Sequence, residues 1–89
     1  MRMRSHRDLE VWRRSMALVR RVYEVSADFP PRERGNLQQQ LRRAVIAIPA
    51  NIAEGHGRRS DGAFARHLDI ALGSAAEVDT LLQLAHDLA

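Results

Sequence analysis

The sequence predicts an all-α protein, an antiparallel up-and-down helical bundle. Apolar residues recur three and four apart over three long stretches. The breaks between those stretches hold the proline and glycine clusters at which helices end, and no stretch shows the two-residue alternation of a strand. A length of 89 residues allows one core, so residues 1–89 read as a single helical-bundle domain with helices at about 8–27, 33–56 and 60–88.

In the first segment Leu9, Trp12, Met16, Val19 and Tyr23 share a stripe expected to face the core. Val11, Leu18, Val22 and Val25 fall nearly opposite at ~100° per residue, so this helix has two apolar faces and needs two partners. Four-residue spacing places Glu10 to pair with Arg14 and Arg20 with Glu24. Asp28-Phe29-Pro30-Pro31 then ends the helix. The second segment carries Leu37, Leu41, Ala44, Val45, Ile48 and Ile52 on one stripe; Pro49 interrupts it, but the spacing resumes in phase at Ile52, which predicts a kink rather than a stop.

Gly55 to Ser60 form the second turn, with glycines available for positive backbone angles and Ser60 available as a cap. The third segment has a heptad seam of Phe64, Leu68, Ala71, Ala75, Val78, Leu82 and Ala85, with Leu81, Leu84 and Leu88 on a neighbouring face. Three helices leave more apolar surface than they cover, so a fourth helix or another subunit is expected to bury the rest. A homo-oligomer follows, with Val11, Leu18, Val22, Val25, Leu81, Leu84 and Leu88 as its candidate interface.

Charge is more informative by position than by total. All fourteen basic residues are arginine; residues 1–43 hold eleven against five acids, and residues 44–89 hold three against six. The basic half is a candidate anion-binding surface in which Arg13, Arg14, Arg20 and Arg21 form two lines on the first helix and Arg42 and Arg43 add a pair on the second. Trp12 and Tyr23 lie on the expected core stripe, which leaves no exposed aromatic to stack a base.

The chemistry of an enzyme is missing. There is no cysteine, no Glu-x-x-His pair of the kind that helical metal bundles use, and no nucleophile–base arrangement, so no cofactor, no metal and no catalytic residue are expected. Asn51, Glu54, Ser74 and Glu77 interrupt apolar stretches and read as polar residues that fix register between helices. One alternative is an unrecognised site around Asn51, Glu54 and His56. His67 reads as a partly exposed helix residue. Neither a signal peptide nor a membrane span is visible, and a cytoplasmic location is expected.

The string Ile48-Pro49-Ala50-Asn51-Ile52-Ala53-Glu54-Gly55, followed by Gly57-Arg58, resembles the four-helix-bundle proteins first noticed in intervening sequences of bacterial 23S ribosomal RNA genes. Asp8-Leu9-Glu10-Val11-Trp12, Phe29-Pro30 with Glu33, Gln40-Leu41-Arg42-Arg43-Ala44 and Ala71-Leu72-Gly73-Ser74 with Glu77 agree with it, so the resemblance spans residues 8–85. It implies a ring-like homopentamer and kinship with the accessory variability determinant of diversity-generating retroelements, which binds nucleic acid and a reverse transcriptase. Two departures stand out: the family's fourth helix is absent, and His67 stands where an aromatic residue is expected.

The expected function is a non-catalytic oligomeric module that binds RNA or DNA backbone through arginines, as an accessory platform for a reverse transcriptase or other partner enzyme. The alternative is a purely structural protein–protein module, in which the arginines meet acids such as Asp69, Glu77, Asp79 and Asp87 on a neighbouring subunit.

Overall fold

The computed structural model describes residues 5–88; the basic start at Met1–Arg4 and the final Ala89 lie outside them. A 3-10 turn at His6–Asp8 leads into α1 (Glu10–Ser26), then the short α2 (Pro31–Arg34), α3 (Leu37–Gly57) and α4 (Asp61–Leu88). Among the described residues there is no strand. None of their helices is long and apolar enough to cross a membrane.

The expected second helix is divided in two. Pro31 opens α2, where its fixed φ suits a first helical position, and Asn36, whose backbone is non-helical, starts α3 afresh. The Asn36 carbonyl accepts the Gln40 N–H at 3.0 Å and its side-chain oxygen accepts the Gln40 amide at 2.8 Å. From there α3 runs unbroken through Pro49, which is buried on the packed face. Its far end differs from expectation: no glycine takes a positive φ, and Arg59 does so instead at 59°. Ser60 caps α4 as expected, its hydroxyl accepting the Ala63 N–H at 3.1 Å.

Successive long helices are antiparallel, and α3 lies between the other two. Both α1 and α4 pack on it, while no Cα of α1 lies within 8 Å of one in α4. The particle measures 46 × 19 × 17 Å, its long axis set by α4. The core is accordingly an α3 core. Leu41, Val45 and Ile52 are its largest fully buried apolar side chains, with Leu37, Ala44 and Ile48 completing the expected stripe. The predicted seam of α4 is the face turned to α3, where Ala71 and Val78 are buried and Phe64, Leu68, Ala75, Leu82 and Ala85 pack around them.

The rotation of α1 is where expectation fails. Val22 and Leu81, assigned above to an intersubunit surface, are 2% and 6% exposed within this single chain and belong to the core. Tyr23, assigned to the core, is 37% exposed. The face of α1 that meets α3 is centred between its two apolar stripes, on buried Ser15 and Ser26. Small side chains let two helices approach closely. Their hydroxyls also need no external partner, because Ser15 donates to the Trp12 carbonyl at 2.7 Å and Ser26 to the Tyr23 carbonyl at 3.4 Å.

This rotation leaves Val11, Leu18 and Val25, seven apart, as an exposed apolar line along α1. On α4, Leu84, Leu88 and Ile70 are exposed beside buried Leu81.

Candidate nucleic-acid interface

The four arginines of α1 fall into two lines, Arg13 with Arg20 and Arg14 with Arg21, as a helix at ~100° per residue requires. Arg14 pairs with Glu10 as expected, at 3.0 Å. The expected Arg20–Glu24 pair does not form, because Glu24 is within helical reach of two arginines and binds Arg21 at 3.1 Å. Both pairs are solvent-exposed, worth a few tenths of a kcal/mol, and readily exchanged for a phosphate. Arg13 reaches the Arg7 carbonyl at 3.4 Å. Among the described residues Arg20 has no hydrogen-bond or acidic partner, because the neighbouring Glu24 is taken by Arg21.

Arg42 has a different role from its neighbour. Its Nε donates to Ser26 Oγ at 2.9 Å, its Nη2 donates to the Tyr23 carbonyl at 3.2 Å, and its guanidinium lies over the Tyr23 ring at 4.3 Å. Gln38 adds a bond from its amide to the Ser26 carbonyl at 2.7 Å. The Tyr23 and Ser26 carbonyls in the last turn of α1 already accept the Ala27 and Phe29 N–H, each at 3.1 Å, and these two α3 side chains add a further donor to each. Arg42 is therefore a structural tie as well as a surface cation.

Around this tie lies an open groove of about 590 Å³ between the end of α1, the α2 turn and the first turns of α3. Arg34, Arg42 and Arg43 line it with Tyr23, Gln38 and Gln39, and no carboxylate is among its lining residues. Three guanidinium groups without a local acid make a site for anions. Sequence reading found Arg42 and Arg43 but missed Arg34, Gln38, Gln39 and Tyr23. Glutamines and a single turn arginine show no periodic signal, and Tyr23 was placed on the wrong face.

The polar residues of the α3–α4 crossing form a separate cluster. Asn51 donates its amide to the Ala47 carbonyl at 2.8 Å, so its oxygen faces outward and lies 3.1 Å from His67 Nδ1. His67 Nε2 lies 3.3 Å from Glu54 Oε2. His67, read from sequence as partly exposed, is thus mostly buried between two α3 side chains. Asn51 and Glu54 do join the helices; Ser74 and Glu77 make no side-chain bond across them among the described residues, and Glu77 points to solvent.

His56 is held elsewhere. It sits edge-on to Phe64 at 6.1 Å, in a cleft of about 770 Å³ that it shares with His6, Arg59 and Asp61 and that neither Asn51 nor Glu54 lines. The trio Asn51, Glu54 and His56 does not converge on one cavity. Among the described residues no three His, Asp or Glu side chains are arranged to hold a metal.

The family model described as 23S rRNA-intervening sequence protein matches residues 7–89. The chain belongs to this family. No curated protein matches it at a significant level. The match to the 23S rRNA-intervening sequence protein family takes in the whole groove and the whole α3–α4 crossing. The segment Ile48–Gly55, on which the resemblance rests, has a clear physical content here: Ile48, Pro49, Ile52 and Gly55 are buried, while Asn51 and Glu54 face His67. It is a helix-crossing motif.

Proposed function

We propose that this member of the 23S rRNA-intervening sequence protein family is a non-catalytic, self-associating helical module that binds nucleic-acid backbone through arginines. The observation that carries the reading is the convergence of Arg34, Arg42 and Arg43 on one acid-free groove. The Arg13–Arg20 line supports it, running along α1 to within about 60° of the Tyr23 direction at the groove's edge. Such contacts are mainly sequence-independent and release counterions, so affinity falls steeply with salt. In this reading the exposed line Val11, Leu18 and Val25, with Ile70, Leu84 and Leu88 on α4, is covered by further copies of the chain. A pentamer is the stoichiometry that the resemblance implies. A reverse transcriptase or another nucleic-acid enzyme is the class of partner such a platform would serve.

Binding of fluorescent single-stranded and duplex oligonucleotides, measured by anisotropy over a range of salt, tests the reading. The expected log–log slope is about 0.7–0.9 per phosphate neutralised, and Arg34→Ala, Arg43→Ala and Arg20→Ala should each lower it by about 1. Absence of binding at low salt, or affinity indifferent to salt, overturns it in favour of a purely structural module whose arginines meet the α4 acids Asp69 and Asp79 of a neighbouring copy.

A further inference from the structure

We propose that the groove takes an unpaired nucleotide strand, one base stacking on the Arg42–Tyr23 pair and the adjoining phosphates resting on Arg34 and Arg43. This rests on the nucleic-acid reading above and adds to it the form of the strand and the way a base is held.

Of the Trp, Tyr and Phe rings among the described residues, that of Tyr23 is the one on an exposed residue; Trp12, Phe29 and Phe64 are each half-buried against the core. It is also a rigid platform. The guanidinium over it, at 4.3 Å from the ring centroid, is fixed by its bonds to Ser26 Oγ and to the Tyr23 carbonyl, so guanidinium and ring are held together before any ligand arrives. Bases stack on aromatic rings and on guanidinium planes alike, with little regard to sequence. A preformed platform loses little conformational entropy on binding.

The rest of the groove fits the remainder of a nucleotide. Arg34 and Arg43 have no partner among the described residues, which leaves their donors for phosphate oxygens. Gln38 spends its amide N–H on the Ser26 carbonyl and keeps its own carbonyl available, while Gln39 is exposed with both groups available for a base edge. Ile46 forms an apolar margin. The volume, about 590 Å³, falls within the ~300–1,000 Å³ typical of small-ligand sites.

A duplex cannot use this platform as it stands. Each paired base already has both faces covered by its neighbours, and exposing one requires unstacking at a cost of a few kcal/mol. Backbone arginines alone would not discriminate in this way. The stacking surface is what turns a general polyanion site into one that prefers a single strand.

The test compares a short oligothymidylate, a duplex of equal length and polyglutamate as ligands, using wild-type protein and the variants Tyr23→Leu, Tyr23→Phe and Arg43→Ala, each checked for folding by circular dichroism. Tyr23→Leu should weaken single-strand binding roughly 5- to 100-fold and leave the salt slope and duplex affinity unchanged; Tyr23→Phe should restore wild-type affinity. Arg43→Ala should weaken both nucleic acids and reduce the slope. A strand carrying 2-aminopurine gives a direct readout, since its emission should be quenched by the wild-type protein and not by Tyr23→Leu. If single strand and duplex bind equally and Tyr23→Leu changes neither, or if polyglutamate binds as well as the oligonucleotide, the stacking inference is overturned. Salt-dependent nucleic-acid binding that survives Tyr23→Leu still supports the backbone reading. Absence of any nucleic-acid binding at low salt removes both.

Discussion

Gly55 on α3 and His67 on α4 meet where no side chain fits between them: a β-carbon at position 55 would lie 2.5 Å from His67 Cβ and 3.2 Å from a Phe64 ring carbon. Here glycine is required by close approach, not by backbone angle, since no glycine in the described residues has a positive φ. Gly55→Ala should therefore destabilise the fold by about 1–3 kcal/mol, the usual cost of overpacking. Gly57, with nothing within 4 Å of a built β-carbon, is the control. Gly57→Ala should be neutral or stabilising by up to about 1 kcal/mol, because it reduces the freedom of the unfolded chain. Urea unfolding of the two variants checks the contrast, and equal effects would refute the packing account.

Arg42 and Arg43 are adjacent in sequence but differ in what they hold. Removing Arg42 leaves the Ser26 hydroxyl and the Tyr23 carbonyl without that donor and uncovers the Tyr23 ring. Arg42→Ala is expected to cost about 1–3 kcal/mol in thermal or chemical unfolding. Arg43→Ala and Arg20→Ala, both at exposed positions, should stay within about 0.5 kcal/mol of wild type. A stable Arg42→Ala protein with ordinary unfolding would show that the tie to α1 is dispensable.

Val22 and Leu18 separate folding from association. Val22 is enclosed by the chain's own core, so Val22→Ala should lower monomer stability by about 1–3 kcal/mol. Leu18 and Val25 lie on the exposed line of α1, and Leu18→Glu with Val25→Glu should dissociate assemblies while helical circular dichroism is retained. Sedimentation equilibrium decides it; a wild-type protein that stays monomeric at high concentration removes the role given to this line.

Asn51 and His67 should be coupled energetically. The amide of Asn51 is oriented by its bond to the Ala47 carbonyl, leaving its oxygen as a fixed acceptor for His67 Nδ1. A double-mutant cycle built from Asn51→Ala and His67→Phe is expected to give about 0.5–1.5 kcal/mol of interaction. Phenylalanine keeps the bulk but loses both ring nitrogens, so a coupling of zero would mean that packing alone matters at this crossing.

The α3 core was legible because that helix has one dominant apolar stripe, and a single stripe can only face inward; the α4 seam was legible from its heptad spacing, but Leu81 on the neighbouring face was assigned outward and is buried. The Asn-Ile-Ala-Glu-Gly segment was legible as a family feature, but its purpose was not. Nothing in a string of letters says that Gly55 lies against His67, twelve residues away and on another helix.

On its own, the sequence determined that the chain is helical, that its long helices are separated near Pro30-Pro31 and near Gly57–Ser60 though not the break at Asn36, that α3 is apolar along one face, and that arginine is concentrated in the first half. It did not determine the rotation of α1, since two apolar stripes of similar strength leave hydrophobicity unable to choose between them. Tertiary packing made that choice at Ser15 and Ser26, whose small side chains admit α3 and whose hydroxyls are satisfied by carbonyls of their own helix. The same rotation buried Val22, exposed Tyr23 and brought its ring under Arg42. The groove exists because serines, which sequence patterns count as polar, can sit at a helix contact once their hydrogen bonds are made locally.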